Sequence, residues 1–330
     1  MNRKVSVAPM MDCTDKHERY FLRLISKNVL LYTEMIVSEA IDRGDRKRLL
    51  SFNLEEKPVA LQLGGSSPKF LSQASKIGEE FGYDEINLNL GCPSKKVQKN
   101  RFGACLIKEP NLVADCLSEM QSKTKIPVTV KTRIGYDQVE NYEHLYNFIN
   151  LLKSTGVKTF IIHARKAMLG NFTPKQNLNI PPLKYEMVYK LKEDFKDLEI
   201  IINGGITSPV QVKEHLLKVD GVMIGRSIYH SPYMLADIEK EIFKNEAIPS
   251  RQEVVEKLVK YLKDEVQKGT RVNQIMRHTL GLFHGQTGSN FWKRYLSENM
   301  CVRDADIQKV NHIMDKVRLN HVAQPVGQID

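Results

Sequence analysis

The sequence predicts an α/β chain built as a (β/α)8 TIM barrel followed by a small all-α C-terminal domain, and three observations predict it. From the N-terminus to about residue 245, eight short β-rich runs alternate with amphipathic helical stretches. Eight such pairs in roughly 240 residues are what a (β/α)8 barrel requires. Each of the eight runs ends in a polar, charged or glycine-bearing cluster, and barrel enzymes place their chemistry at the C-terminal ends of strands. Past Pro249 the strands stop and helical periodicity takes over, so Pro249 marks a linker. The expected domains are therefore 1–245, a catalytic barrel, and 246–330, a helical domain. A doubly wound sheet is the competing fold, but no G-x-G-x-x-G follows the first run.

The expected strands are 5–8, 29–34, 59–63, 85–90, 128–132, 159–163, 199–202 and 221–224. Between them, 69–81, 112–122, 142–153 and 209–217 carry helical periodicity. The strand ends carry, in order, Pro9-Met10-Met11, Glu34, Gln62-Leu63-Gly64-Gly65, Asn89 with Cys92, Lys131 with Arg133, His163 with Arg165, Asn203-Gly204-Gly205 and Gly225-Arg226. Polar turn residues are common at strand ends, so one cluster means little; the full set is hard to read as turn chemistry alone. In the tail, Val254, Val255, Leu258, Val259 and Leu262 share one face of an amphipathic helix over 251–268. Segments 272–281, 290–299 and 304–319 also read as helices, and 321–330 is expected to fray.

Bulk properties narrow the function. The chain has 330 residues, 42% hydrophobic and 27% charged, with a net charge of +10 that favours a polyanionic partner such as RNA. No apolar run approaches the length of a membrane span, and the start lacks a signal-peptide core. The five cysteines, Cys13, Cys92, Cys105, Cys116 and Cys301, are scattered and form no C-x-x-C, which supports neither a metal site nor a disulfide framework. A cytoplasmic monomer without metal is the expectation.

The strand over 85–90 runs into Gly91-Cys92-Pro93-Ser94. Pro93 restricts Cys92 to extended geometry, presenting the thiol at the strand's mouth. With Lys95, Lys96, Lys99 and Arg101 downstream, it reads as a working acid or nucleophile beside an anionic ligand; a buried, inert cysteine is the alternative. At the seventh and eighth strand ends, Asn203-Gly204-Gly205 and Gly225-Arg226 put glycine backbone and an arginine where barrels hold a phosphate. Ordinary helix-leading turns remain the other reading. A phosphorylated cofactor across the mouth then fits a flavin. Gln62 can donate and accept along its pyrimidine edge, Lys131 can stabilise an anionic reduced ring, and Pro9, Met10 and Met11 offer backbone and apolar surface, unless they are simple loop packing.

These segments, together with Ala8-Pro9-Met10-Met11-Asp12, Arg101-Phe102-Gly103-Ala104 and Lys131-Thr132-Arg133, resemble the tRNA-dihydrouridine synthases in order over the whole barrel. Arg277 to Phe283, Trp292 to Leu296, and Ile180-Pro181-Pro182-Leu183 ahead of Tyr185 resemble the bacterial DusA subfamily. The resemblance implies FMN as cofactor, NADPH as reductant, and reduction of the uridine 5,6 double bond in tRNA, at positions 20 and 20a. It implies that Cys92 gives a proton to C5 after hydride reaches C6. An ordinary thiol, with a pKa near ~8.5, holds its proton at neutral pH yet releases it readily. Gln62, Lys131, His163, Asn203, Gly204, Gly205, Gly225 and Arg226 would hold FMN, and Asn89 would meet the extruded uridine.

Lys175, in a long loop after the sixth strand, would contact RNA, and Lys293 and Arg294 beside the lone tryptophan are the tail's tRNA-binding pair. Solvated faces are the plainer reading of all three. Met168 and Leu178 depart from the family, where Trp and Arg are frequent, which puts the tRNA contacts of that loop in question. Two alternatives stay open: an FMN barrel acting on a free pyrimidine, like dihydroorotate dehydrogenase, and a non-catalytic tRNA-binding protein.

Overall fold

The computed structural model describes residues 1–170 and 172–301. Eight parallel strands form the barrel: β1 (Val5–Val7), β2 (Leu31–Tyr32), β3 (Val59–Gly64), β4 (Glu85–Leu90), β5 (Val128–Arg133), β6 (Thr159–His163), β7 (Glu199–Asn203) and β8 (Gly221–Ile224). Each strand pairs with its sequence neighbour from β2 to β8, and β1 pairs with β8. The ring closes between β1 and the residue ahead of β2, where Val7 N–H donates to Leu30 O at 2.9 Å and Leu30 N–H to Val5 O at 3.1 Å.

The expected second strand is shortened to two residues for a local reason. The Thr33 hydroxyl, not its carbonyl, accepts the Gln62 backbone N–H at 3.0 Å, so the ladder ends there. A two-residue strand, Ile36–Val37, resumes pairing with Leu63 and Gly64 and has no counterpart among the expected strands.

Outward-facing Leu61, Leu63, Ile86, Leu88, Val130, Phe160, Ile162, Ile200 and Ile202 are buried, as period-2 alternation under a helical layer requires. That layer includes α2 (Pro68–Glu80), α3 (Pro110–Lys123), α4 (Tyr142–Lys153), α5 (Tyr185–Asp194) and α6 (Pro209–Leu216). Their starts follow capping chemistry. Ser67 and Ser208 cap helices that begin with proline, and Asn141 accepts from His144 N–H at 2.7 Å.

The described chain divides into two compact units, Met1–Lys16 with Asn28–Gly225, and His17–Lys27 with the described residues from Arg226 onward. The division thus falls after Gly225, ahead of the expected boundary at residue 245, and the second unit takes in α1 (Lys16–Ile25) from His17 on. Within that unit Glu18 pairs with His278 at 3.3 Å, His17 Nδ1 lies 2.7 Å from the Tyr261 hydroxyl, and Ser26 donates to Glu239.

The unit also contains α7 (Arg226–His230), α8 (Met234–Glu241), α9 (Arg251–Gln267), α10 (Val272–Met276) and α11 (Ser289–Tyr295). A Ser250/Glu253 capping box starts α9, which buries Val254, Val255, Leu258 and Leu262. The expected helix over 304–319 and the fraying end over 321–330 lie outside the described residues. Among the described residues, no helix is long and apolar enough to cross a membrane.

Candidate active site at the barrel mouth

The Cys92 turn is held from three sides. Asn89, the last inward-facing residue of β4, accepts the Gly91 and Cys92 backbone N–H groups at 3.0 and 2.9 Å. The Cys92 carbonyl accepts from Ala104 N–H at 2.9 Å, across a sharp turn at Gly103 with φ +74°. A Cβ at Gly103 would lie 2.5 Å from Val97 Cγ1 and 2.6 Å from Cys92 O, so only glycine lets the two segments approach this closely.

Arg133, at the end of β5, donates from Nε to Gly91 O at 2.8 Å and from Nη1 to Lys166 O at 3.0 Å. Burial pushes its guanidinium down to about 10, the nearby Cys92 works the other way, and Arg165 adds to the lowering. Cys92 itself is half-buried at the rim. Cys116, by contrast, is a core thiol that burial pushes up to about 12.

Lys131 stands two residues before Arg133, on the same face of β5. Its ammonium donates to Asn203 Oδ1 at 3.0 Å, while Asn203 Nδ2 donates to Met223 O at 2.8 Å. Lys131 is half-buried. Burial pushes its pKa down to about 7, Arg133 adds to the fall, and Cys92 opposes it. Gln62 is buried, donating to Asn87 Oδ1 at 2.7 Å and accepting from Asn89 Nδ2 at 2.8 Å. His163 is buried opposite Asn203 in the β6–β7 register.

Beyond β7, Gly204 and Gly205 both take positive φ, +119° and +71°. A Cβ at Gly204 would meet the His163 ring at 2.7 Å, and one at Gly205 would meet Leu183 Cδ1 at 2.4 Å. Tyr185 fixes this bend by donating its hydroxyl to Gly204 O at 2.7 Å. A Cβ at Gly225 would lie 3.5 Å from both Ala8 Cβ and Met10 Sδ, an ordinary contact. Thr14 holds the loop after β1 by accepting from Met10 N–H at 3.0 Å; Pro9 and Met10 are half-buried, and Met11 is exposed.

One barrel mouth therefore gathers Pro9, Met10, Gln62, Asn89, Cys92, Lys131, His163, Asn203, Gly204, Gly205 and Gly225. Lys175 is exposed on the short helix Pro174–Asn179, whose Asn177 carbonyl accepts from Arg133 Nη1 at 3.3 Å. Exposed Arg226 opens α7 in the second unit, directly after Gly225. Lys293 and Arg294 lie on α11 of that unit beside Trp292, which is buried and donates to Thr279 O at 2.8 Å.

Sequence reasoning assigned no role to Arg133 or Tyr185. The first stood with Lys131 in the fifth strand-end cluster, and alternation along β5, which puts both on one face, could have given it a part. The second is set by a loop bend that no periodicity reveals.

A family model described as "Dihydrouridine synthase (Dus)" matches residues 6–318. The chain belongs to the dihydrouridine synthase family. Among curated relatives named "tRNA-dihydrouridine(20/20a) synthase", the chain is 52% identical to that of Synechocystis over 302 residues, covering 91% of this chain and 90% of the relative. It is 50% identical to that of Shewanella oneidensis over 325 residues, 98% of this chain and 97% of the relative. It is also 50% identical to that of Escherichia coli K12 over 316 residues, 95% of this chain and 91% of the relative. Members of this family are flavin-dependent, so the convergence of a lysine, a glutamine, a histidine and a glycine bend has a family context.

Proposed function

We propose that this chain reduces uridine to 5,6-dihydrouridine in the D-loop of tRNA, at positions 20 and 20a, with FMN as its flavin and NADPH as reductant. The relatives' shared name supports the substrate. What carries the chemistry is Cys92, fixed by Asn89 and Gly103 at the rim of the mouth that also holds Lys131 and Gln62.

The residues fit the cofactor. Gly204 and Gly205 turn the backbone through positive φ beyond β7, and a glycine bend of this kind can aim N–H groups at a phosphate. Gly225 and the arginine that follows it, Arg226, supply a second bare backbone and a bidentate cation for the same group. Gln62 would offer a flavin an amide, Lys131 a cation and His163 an imidazole, with Pro9, Met10 and Met11 as apolar surface. Bound there, reduced flavin supplies a hydride for pyrimidine C6.

The protein's own part is positional and acidic. Cys92 gives its proton to C5, and Asn89 holds the turn that carries the thiol. A lysine that titrates near 7 is a responsive counter-charge in such a site. The target base must leave its stack to reach a barrel mouth. Lys175, Lys293 and Arg294 serve as phosphate contacts that position the tRNA. The enzyme works as a cytoplasmic monomer.

The test is Cys92→Ala. The purified variant should stay yellow with bound FMN while dihydrouridine formation in tRNA falls by about 10²–10⁴-fold, as loss of a general acid does. A wild-type protein that takes up no FMN, or a variant with undiminished activity, overturns the reading.

A further inference from the structure

A chain of side-chain hydrogen bonds runs up the barrel interior from the start of β4 to the Cys92 turn. At its lower end the Glu85 carboxylate accepts from Arg3 Nε at 2.6 Å, the Tyr32 hydroxyl at 2.7 Å and the Thr129 hydroxyl at 2.6 Å. The Thr129 oxygen accepts from Asn87 Nδ2 at 2.8 Å, and Asn87 Oδ1 accepts from Gln62 Nε2 at 2.7 Å. Gln62 Oε1 accepts from Asn89 Nδ2 at 2.8 Å, and Asn89 Oδ1 takes the Gly91 and Cys92 N–H groups. Glu85, Asn87 and Asn89 share one face of β4, and Gln62 and Thr129 stand opposite Asn87 in register on either side. From Glu85 to Leu90 the strand rises roughly 17 Å.

Both ends of this chain are committed. Arginine and backbone N–H groups can only donate, and a carboxylate receiving three donors can only accept. Three consecutive amides lie between, and each could be turned end for end in isolation. With both ends set, only one orientation of Asn87, Gln62 and Asn89 leaves every link satisfied. A single reversal would bring two NH2 groups or two carbonyls face to face in a buried space, where an unmade hydrogen bond is costly.

We propose that Glu85, at the far end of the barrel from the thiol, is a positioning residue. Acting through Thr129, Asn87 and Asn89, it fixes the polarity of the Gln62 amide and the seat of the Cys92 turn. Gln62 then offers one fixed donor and one fixed acceptor, not either in turn. The Cys92 backbone is in the same way tied to a carboxylate at the other end of the same strand. This inference deepens the function proposed above and rests on it for the identity of the reaction.

Thr129 is the link to break, because valine keeps its shape and removes only the hydroxyl. Relative to wild type in the same tRNA assay, Thr129→Val should lose about tenfold in kcat with KM for tRNA unchanged, as loss of a supporting hydrogen bond behind a reactive group does. Cys92, followed by peptide mass spectrometry, should react with iodoacetamide about threefold faster as its turn loosens. Thr129→Ser should restore both. Thr129→Ala cuts the same link with less crowding, and serves if the valine variant does not fold.

Wild-type alkylation rates in a folded Thr129→Val or Thr129→Ala overturn the proposal, as does an equal loss in Thr129→Ser. If wild type itself forms no dihydrouridine, the functional reading falls, and the alkylation comparison still judges the chain of bonds on its own.

Discussion

The two halves of the barrel interior are built on opposite principles. Around β6, β7, β8, β1 and β2 one layer of inward positions forms an apolar cluster of Ile161, Ile201, Met223, Ala8 and Leu30, each almost wholly buried, with Tyr32 and with Ala60 of β3 completing it. Around β3, β4 and β5 the inward positions include Gln62, Glu85, Asn87, Asn89 and Thr129, joined by directed hydrogen bonds, and Lys131, which bonds across to Asn203 of β7. The apolar half is held by burial, which tolerates small shifts. The polar half is held by complementarity, in which each group has one satisfied arrangement. Cys92 follows the strand at the centre of the polar half. Precision is placed where chemistry needs it, and ordinary packing fills the remainder.

The largest effect that separates the halves is at the floor of the barrel. Arg3 joins Glu85 at 2.6 Å and Glu199 at 2.9 Å. Burial opposes the guanidinium charge, but the two carboxylates prevail and its pKa rises. Arg3→Met leaves Glu85 buried without its cation, and should cost about 3–5 kcal/mol in urea unfolding. Ile201→Ala, in the apolar half, should cost about 2–5 kcal/mol through its cavity, yet leave kcat per folded molecule nearly unchanged. If Arg3→Met costs less than Ile201→Ala and leaves turnover intact, the polar half is only packing by another name.

How the sequence revealed these halves follows from the same contrast. Apolar alternation made β4, β6 and β8 readable to the residue, and the strand ends disclosed Gln62, Cys92, Lys131, His163 and Asn203. Glu85, Thr129 and Arg3 were not legible as a group. A polar residue at the start of a strand looks like an exposed edge until the strands are placed in register. The helix Lys16–Ile25 was missed for a related reason. Its Glu18, Arg19 and Arg23 are buried, which hydrophobic periodicity cannot anticipate. The second strand was read too long because Thr33 uses its hydroxyl where a ladder carbonyl would serve.

Lys131 sharpens the comparison with an effect of opposite sign. In the folded barrel it releases its proton near pH 7, whereas the unfolded lysine keeps it to about 10.5. Between these values the unfolded chain binds more protons, so this group makes stability rise with pH; below about pH 7 its full penalty applies. Lys131→Met removes the penalty and should raise Tm by about 2–4 °C near pH 6, with the gain shrinking toward pH 10. Flavin-dependent turnover should fall at the same time. A gain in Tm of equal size at both pH values would show that the lysine is not desolvated in this way, and that the polar half carries no stability cost for its function.

The smallest effect tests whether precision extends past β7 to the glycine bend. The Tyr185 hydroxyl donates to Gly204 O at 2.7 Å, and its ring meets His215 edge-on with centroids 4.6 Å apart. Tyr185→Phe keeps the ring contact and removes only the hydrogen bond, a loss of about 1 kcal/mol. If the bend cradles the cofactor's phosphate, that loss should appear as about a fivefold rise in the Kd for FMN, with Tm nearly unchanged. The reasoning depends on geometry at Gly204, where a positive φ leaves the carbonyl's direction set by its partner and not by a neighbouring helix. An unchanged Kd alongside a lower Tm would assign Tyr185 to fold maintenance alone, and confine the directed bonding to β3, β4 and β5.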